Sequence, residues 1–398
     1  MILFKNCRLL KELTEGFDGE YADILINDDD RIERIEKPGQ IEVSKYVKVV
    51  DAKNNTVLPG FFELHTHLCV TDMDFYKLSR ISHEENAFET YAYAREYLKQ
   101  GYTTIRDAGT IYNVTADLKK AQQKGLVNVP DIISSGCIIT PTENGNETFK
   151  NMYAVADSPY EVRKAVRRQF ELGNDVIKYM ITGAYLNESG KPGELITMED
   201  ELREAVKVAK AKDSYVFGHA HGVEGIKLAI KCGVRTVEHG SFIDDEAIEM
   251  LKNTDETFLV PTAAIGLACI DDDGDSLSDD MMDKAKKFEK AEKDALNRAY
   301  RAGLKLGFGS DIDKENFVKH PGMEFYARTD WYDFEYKDIL LQATKNSAEI
   351  AGMIEDKGTI KVGKKGELVV IEGNPDEDIY RMKKLPLYVY FHGELIEN

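Results

Sequence analysis

The 398-residue chain has one tryptophan, five cysteines and no apolar run approaching the ~20 residues needed to cross a bilayer. Cys7, Cys69, Cys137, Cys232 and Cys269 are widely spread with no Cys-x-x-Cys pair, which argues against both a disulfide framework and a thiolate zinc site. Basic residues are also in deficit. With 52 Lys and Arg against 71 Asp and Glu the formal net charge is −19, so neither nucleic acid nor an anionic membrane is an expected partner. A small-molecule substrate remains, and an anionic one would need a local exception to this field, for which metal ions are candidates. The opening Met1-Ile2-Leu3-Phe4-Lys5 is too short an apolar run for a signal peptide, so a cytoplasmic location is the expectation. The oligomeric state is open, a homo-oligomer included.

What is present is an ordinary globular composition, 42% apolar and 31% charged, in a length suited to one large domain plus a small one. Residues 1–57 read as short strands and turns, with Tyr21 to Asn27 and Tyr46 to Val50 as strand candidates. Between 58 and 352 apolar strand-like runs alternate with helical ones. The strands are expected at Phe61 to His67, Thr103 to Ala108, Ile132 to Ile139, Val176 to Ile181, Tyr215 to His219, Thr236 to His239, Thr257 to Pro261 and Leu306 to Asp311. Helices are expected at Glu84 to Gln100, Tyr160 to Glu171, Met198 to Lys212 and Met281 to Ala302, with Ser158-Pro159 and Thr197 as N-terminal signals. Eight β-then-α units in about 290 residues match a (β/α)8 TIM barrel. No Gly-x-Gly-x-x-Gly follows any strand, which counts against an open doubly wound sheet. Residues 353–398 return to β character, so the barrel reads as inserted in a small β domain built from both termini. The acidic run Asp271 to Asp275 lacks the later glutamate of an EF-hand and reads as a solvated loop.

Active sites of such barrels lie at the strand C-termini, where five of the eight histidines fall. The first strand ends in His65 and His67, two apart and so on one face. The fifth ends in His219-Ala220-His221, the sixth in Glu238-His239 and the eighth in Gly309-Ser310-Asp311. The fourth carries Lys178 inside an apolar run, where an inward ammonium would be buried and unpaired.

These residues resemble the binuclear metal members of the amidohydrolase superfamily. The similarity runs through Leu58 to His67, Gly101 to Gly109, Val176 to Lys178, Gly218 to Gly222, Val237 to Gly240, Gly309 to Asp311, Ala343 to Ala348 and Gly358 to Val370. The His-Ala-His-Gly at 219–222 is similar to that of the Xaa-Pro dipeptidase and arginine carboxypeptidase branch. The resemblance implies a (β/α)8 barrel over 58–352 in a small β-sandwich domain formed by 1–57 and 353–398. It also implies that His65, His67 and Asp311 bind one divalent metal ion and His219 and His239 a second, with Lys178 bridging them as an N-carboxylated lysine. Imidazole and carboxylate ligands without thiolate suit Zn²⁺. The implied activity is hydrolysis of an amide bond in a dipeptide or N-acyl amino acid by a metal-bridging hydroxide, with Asp311 as acid and base and His221 at the substrate oxyanion. Tyr185, Arg106 and His320 are candidates for a substrate carboxylate.

The chain departs from this pattern at Glu63, where many relatives have Asp, at Ile312, where a small residue is common, and in the loop Thr140 to Thr148, which lacks the peptidase branch's Gly-Gly-His. Three alternatives follow. A deaminase would use His221 as ligand and Glu224, at His-x-x-Glu spacing, for proton transfer. A lactonase could use the same two-metal site, and a non-catalytic scaffold would keep the barrel without the chemistry.

Overall fold

The computed structural model describes residues 1–398 except 43, 46, 72–77, 79, 150, 185–190, 272–278 and 397–398, without the side chains of 148–149 and 269–288. Five strands come from the N-terminal segment: Ile2–Arg8 (β1), Tyr21–Ile26 (β2), Ile32–Glu36 (β3), Lys48–Asp51 (β4) and Thr56–Pro59 (β5). Nine follow in the middle: Phe61–Thr66 (β6), Tyr102–Asp107 (β7), Asp131–Ile133 (β8), Ile138–Thr140 (β9), Tyr153–Val155 (β10), Ile177–Met180 (β11), Val216–Ala220 (β12), Thr236–His239 (β13) and Phe258–Val260 (β14). The chain ends with Leu368–Ile371 (β15), Tyr388–Phe391 (β16) and Glu394–Ile396 (β17).

Both ends of the chain share one sheet, ordered β17-β16-β15-β5-β1-β2-β3 with β4 beside β1. The join is antiparallel, Thr56 opposite Ile371 and Leu58 opposite Val369. Alternation puts Ile2, Phe4, Ile24, Ile26, Val57, Leu368 and Val370 into one buried cluster. The β16–β17 hairpin turns at His392 (φ 46°) and Gly393 (φ 81°), the two left-handed residues that a type I′ turn requires.

The middle strands are parallel, and β6, β7, β12 and β13 are buried at every residue, as expected where helices cover a parallel sheet. Helices His83–Lys99, Val114–Gln123, Pro159–Glu171, Glu199–Lys210, Val223–Cys232, Asp245–Lys252 and Asp279–Arg301 lie between them. Ser158 caps its helix as expected, accepting from the Glu161 amide with Pro159 in the first turn. Thr197 instead bonds Glu201 and Tyr179 through its hydroxyl, and the cap falls one residue later at Met198. Backbone hydrogen bonds link β6, β7 and β8 in turn, and β11, β12, β13 and β14 in turn. Asp175 and Val176 donate to the Ser134 carbonyl at 2.8 and 3.2 Å, joining the two sets. At the far side Gly307 donates to Leu259, Leu64 to Phe308 and Asp311 to His65, which returns the chain of bonds to β6. Among the described residues no helix is long and apolar enough to cross a membrane.

Two expected strands differ. The run from Ile132 to Ile139 is split into β8 and β9, because Gly136 adopts φ 69° where the Asn174 and Gln169 side chains occupy the space a Cβ would need. Leu306 to Asp311 is no regular strand: Leu306 makes an isolated bridge to Leu259, and Asp311 turns to φ 55°. The backbone there presses on β6 and β14. A Cβ at Gly309 would lie 2.7 Å from the His65 Cβ and 2.9 Å from Val260 Cγ1. Of the acidic run, residues 272–275 lie outside the described residues.

Gly309→Ala is therefore expected to destabilise the protein by about 1–3 kcal/mol through overpacking. Urea unfolding measures this, and unchanged stability would mean that β6 can move away.

Candidate metal centre

His65 and His67 stand on one face of the β6 run, and both turn Nε2 toward Asp311. His65 Nδ1 lies 2.6 Å from Glu238 Oε2, and its Nε2 is 3.2 Å from Lys178 Nζ and 3.7 Å from Asp311 Oδ1. His67 Nδ1 bonds the Gly109 carbonyl at 3.0 Å, with Nε2 3.6 Å from Asp311 Oδ1. β12 supplies His219 and, just past its end, His221, again two apart, with ring centroids 4.5 Å from each other. His239 closes the group, 4.6 Å from His219 and 4.8 Å from His65 between centroids.

His239 follows Glu238 directly, yet both reach the same interior. A regular strand would send them to opposite faces. The φ of 66° at His239 turns its ring back, and Asp311 reaches the centre through the same left-handed conformation. Ligating atoms of His219, His221 and His239 lie within 4.8 Å of one another, as do those of His65, His239 and Asp311.

Burial, reinforced by the Lys178 cation, lowers the histidines: His67 and His221 fall to about 3, and His65, His219 and His239 lie well below the usual imidazole range. All five rings are thus neutral and carry a lone pair. His239 Nδ1 is engaged by Thr262 Oγ1 at 2.8 Å, while the buried Nε2 atoms of His219 and His239 have no hydrogen-bond partner. Orphaned imidazole nitrogens facing a carboxylate suit a divalent cation, with no thiolate in the set. Burial also lowers Lys178 to about 8 and raises Asp311 to about 7 and Glu63 to about 8. One Glu63 oxygen accepts from the His65 and Ser310 amides, pinning both sides of the centre.

His65, His67, Lys178, His219, His221, His239 and Asp311 all converge as the sequence suggests. Tyr185 lies outside the described residues. Arg106 is a correction: it is wholly buried on β7, donates to the Leu64 carbonyl (2.7 Å) and Glu238 Oε1 (2.9 Å), and stacks 4.2 Å over Phe217. Its charge is spent inside the protein. His320 is also corrected. It ends the helix Lys314–Lys319, which leads away from Asp311 to Gln100, whose side chain bonds Phe317 and Gly322 near the start of β7. Glu224, the deaminase candidate, is exposed in the first turn of the helix Val223–Cys232.

Sequence reasoning missed the partners of these groups. Glu238 joins His65 to Arg106, and its place before His239 was the available signal. Ser241, 2.8 Å from His221 Nδ1, and Glu292, 2.8 Å from Ser241, gave none, since 51 residues separate them. A separate group, Asp131, Glu367 and His392, is an ion-pair network: the buried Lys357 meets Asp131 and lies 2.8 Å from Glu367, and His392 lies 3.4 Å from Asp131.

A parallel α/β scaffold that gathers five neutral histidines, a lysine and an aspartate at its strand ends defines a metal-centre protein. The profile of the Amidohydrolase family matches residues 56–396, and the chain belongs to that family. A prolidase crystallised with N-methylphosphonate-L-proline superimposes with TM-score 0.88 at 27% identity, covering 100% of this chain and 99% of that one. A Xaa-Pro dipeptidase with bound methionine gives 0.87 at 27%, covering 100% of both chains. The ochratoxinase of Aspergillus niger is 24% identical over 389 residues, 89% of this chain and 78% of its own, and its structure gives a TM-score of 0.86.

Arg106→Met should cost about 3–5 kcal/mol of stability, because Glu238 is left buried without its cation. Denaturant unfolding checks this. A stable variant impaired only in substrate affinity would restore the carboxylate-binding role.

Proposed function

We propose that the chain is a metal-dependent hydrolase acting on an amide bond of a small substrate, a dipeptide or an N-acyl amino acid. The observation that carries this reading is the cluster of neutral imidazoles with orphaned Nε2 atoms around Asp311 and Lys178. The likeness to a prolidase and a Xaa-Pro dipeptidase above 25% identity supports the substrate class. In this reading the ring of bonds from β6 back to β6 is a (β/α)8 barrel over 58–352. The terminal sheet is the small β-sandwich domain of 1–57 and 353–398.

His65, His67 and Asp311 would hold one Zn²⁺ and His219 and His239 the other. Lys178 would complete both sets: its neutral amine, on adding carbon dioxide and releasing a proton, would become a carbamate whose one negative charge is shared by two oxygens. When bound, the ions polarise the amide carbonyl and acidify water. Asp311 takes the proton of the attacking water on its carboxylate and returns it to the leaving nitrogen. His221, two residues after His219, would meet the substrate carbonyl only if its Nε2 carries the ring proton, a point decided by what its Nδ1 bonds.

The test is metal analysis of the purified protein, followed by a screen of dipeptides and N-acyl amino acids for released amino acid. About two ions per chain and release from at least one member are expected. One ion per chain with ammonia released from a nucleobase would favour a deaminase. Asp311→Asn should still bind substrate while turnover drops at least ~10²-fold, the lower end of what a general acid–base group contributes. Near-normal turnover in that variant rules out the role.

A further inference from the structure

His221 is the one histidine of the centre whose Nδ1 meets a hydroxyl that is itself tied to a carboxylate. Its Nδ1 lies 2.8 Å from Ser241 Oγ, and Ser241 Oγ lies 2.8 Å from Glu292 Oε1. Three elements make the chain: the end of β12, the turn after β13, and the helix Asp279–Arg301. The His221 amide is fixed as well, donating to Thr182 Oγ1 at 3.0 Å. The ring stacks on His239 at 4.7 Å with an interplanar angle of 23°.

A serine hydroxyl has a single proton, and an ionised carboxylate can only accept. If Ser241 donates to Glu292, its oxygen must accept from His221, so Nδ1 carries the ring proton. We infer that Ser241 and Glu292 are positioning residues that hold His221 as its Nδ1–H tautomer, leaving Nε2 with a lone pair. This deepens the hydrolase reading and rests on it: His221 then serves the centre as an acceptor or third imidazole ligand beside His219 and His239, not as a donor to an oxyanion. The opposite polarity, with a protonated Glu292 donating to Ser241 and Ser241 to Nδ1, would make Nε2–H the donor.

The two arrangements are separated by long-range ¹H–¹⁵N spectra of the full-length, metal-free protein labelled with ¹⁵N-histidine, His221 being assigned from the signal lost in His221→Asn. The wild type is expected to give the Nδ1–H pattern at His221. Ser241→Ala should shift it toward Nε2–H, and Ser241→Thr, which keeps the hydroxyl, should restore Nδ1–H. Glu292→Gln, which preserves volume, should weaken the Nδ1–H preference and covers the case in which Ser241→Ala fails to fold. In metal-loaded enzyme Ser241→Ala should lower kcat about 10–100-fold, the range for removing a partner behind a centre's imidazole, with KM nearly unchanged. An Nε2–H pattern in the wild type, or an unchanged tautomer and kcat in Ser241→Ala, overturns the inference. The spectra do not depend on turnover. A protein that binds no metal or cleaves no amide would refute the hydrolase reading, whereas Nε2–H in an active enzyme would refute this inference alone.

Discussion

The structure around the centre depends on the Glu238 carboxylate. One oxygen meets His65 Nδ1 at 2.6 Å, and the other accepts from Arg106 and from the Thr236 hydroxyl. A carboxylate in a sealed interior is costly unless its charge is compensated, and Arg106 supplies that compensation. Arg106 in turn is held by the Leu64 carbonyl and the Phe217 face, so β6, β7, β12 and β13 are tied through one buried ion pair. The functional consequence is at His65. With Nδ1 taken by a carboxylate, Nε2 is the nitrogen that faces Lys178 and Asp311.

The lysine stands beside the same pair. Lys178 lies over the Phe217 ring at 5.3 Å, as Arg106 does from its own side, so two cations share one aromatic wall with Glu238 and Asp311 as nearby anions. Burial lowers the lysine's pKa to about 8, against the opposing pull of Glu238 and Asp311.

Much of the centre was legible because strand periodicity is simple. Side chains two apart share a face, so His65 with His67 and His219 with His221 could be paired on sight. The rule fails where the backbone leaves the extended region. His239 beside Glu238, and Asp311 at the end of an irregular segment, reach the centre through positive φ, which no apolar pattern announces. Arg106 and His320 were misjudged for another reason: proximity to a strand end in sequence does not say which way a side chain points or which end a following helix reaches. The Ser241–Glu292 contact joins elements far apart in the chain, and only the packing of the helix Asp279–Arg301 over the β13 turn creates it.

The histidines of the centre sit at or just past strand ends fixed by backbone bonds, and a buried apolar cluster packs beside them. Cys69, Val70, Ile111, Ile138, Met152 and Met180 form an apolar cluster there. A Cβ at Gly109 would touch Ile138 at 2.3 Å and the His67 ring at 3.4 Å, so this cluster begins directly against a histidine of the centre. Met180 continues it on the face of β11 that carries Lys178. Strand-held ligands tolerate sequence drift as long as their register survives, while the wall can be rebuilt one loop at a time. The ochratoxinase and prolidase structures share this backbone at 23% and 27% identity. The apolar cluster between His67 and Met180 is thus packed directly against the strand-held histidines, so a change in its volume would be felt at the centre.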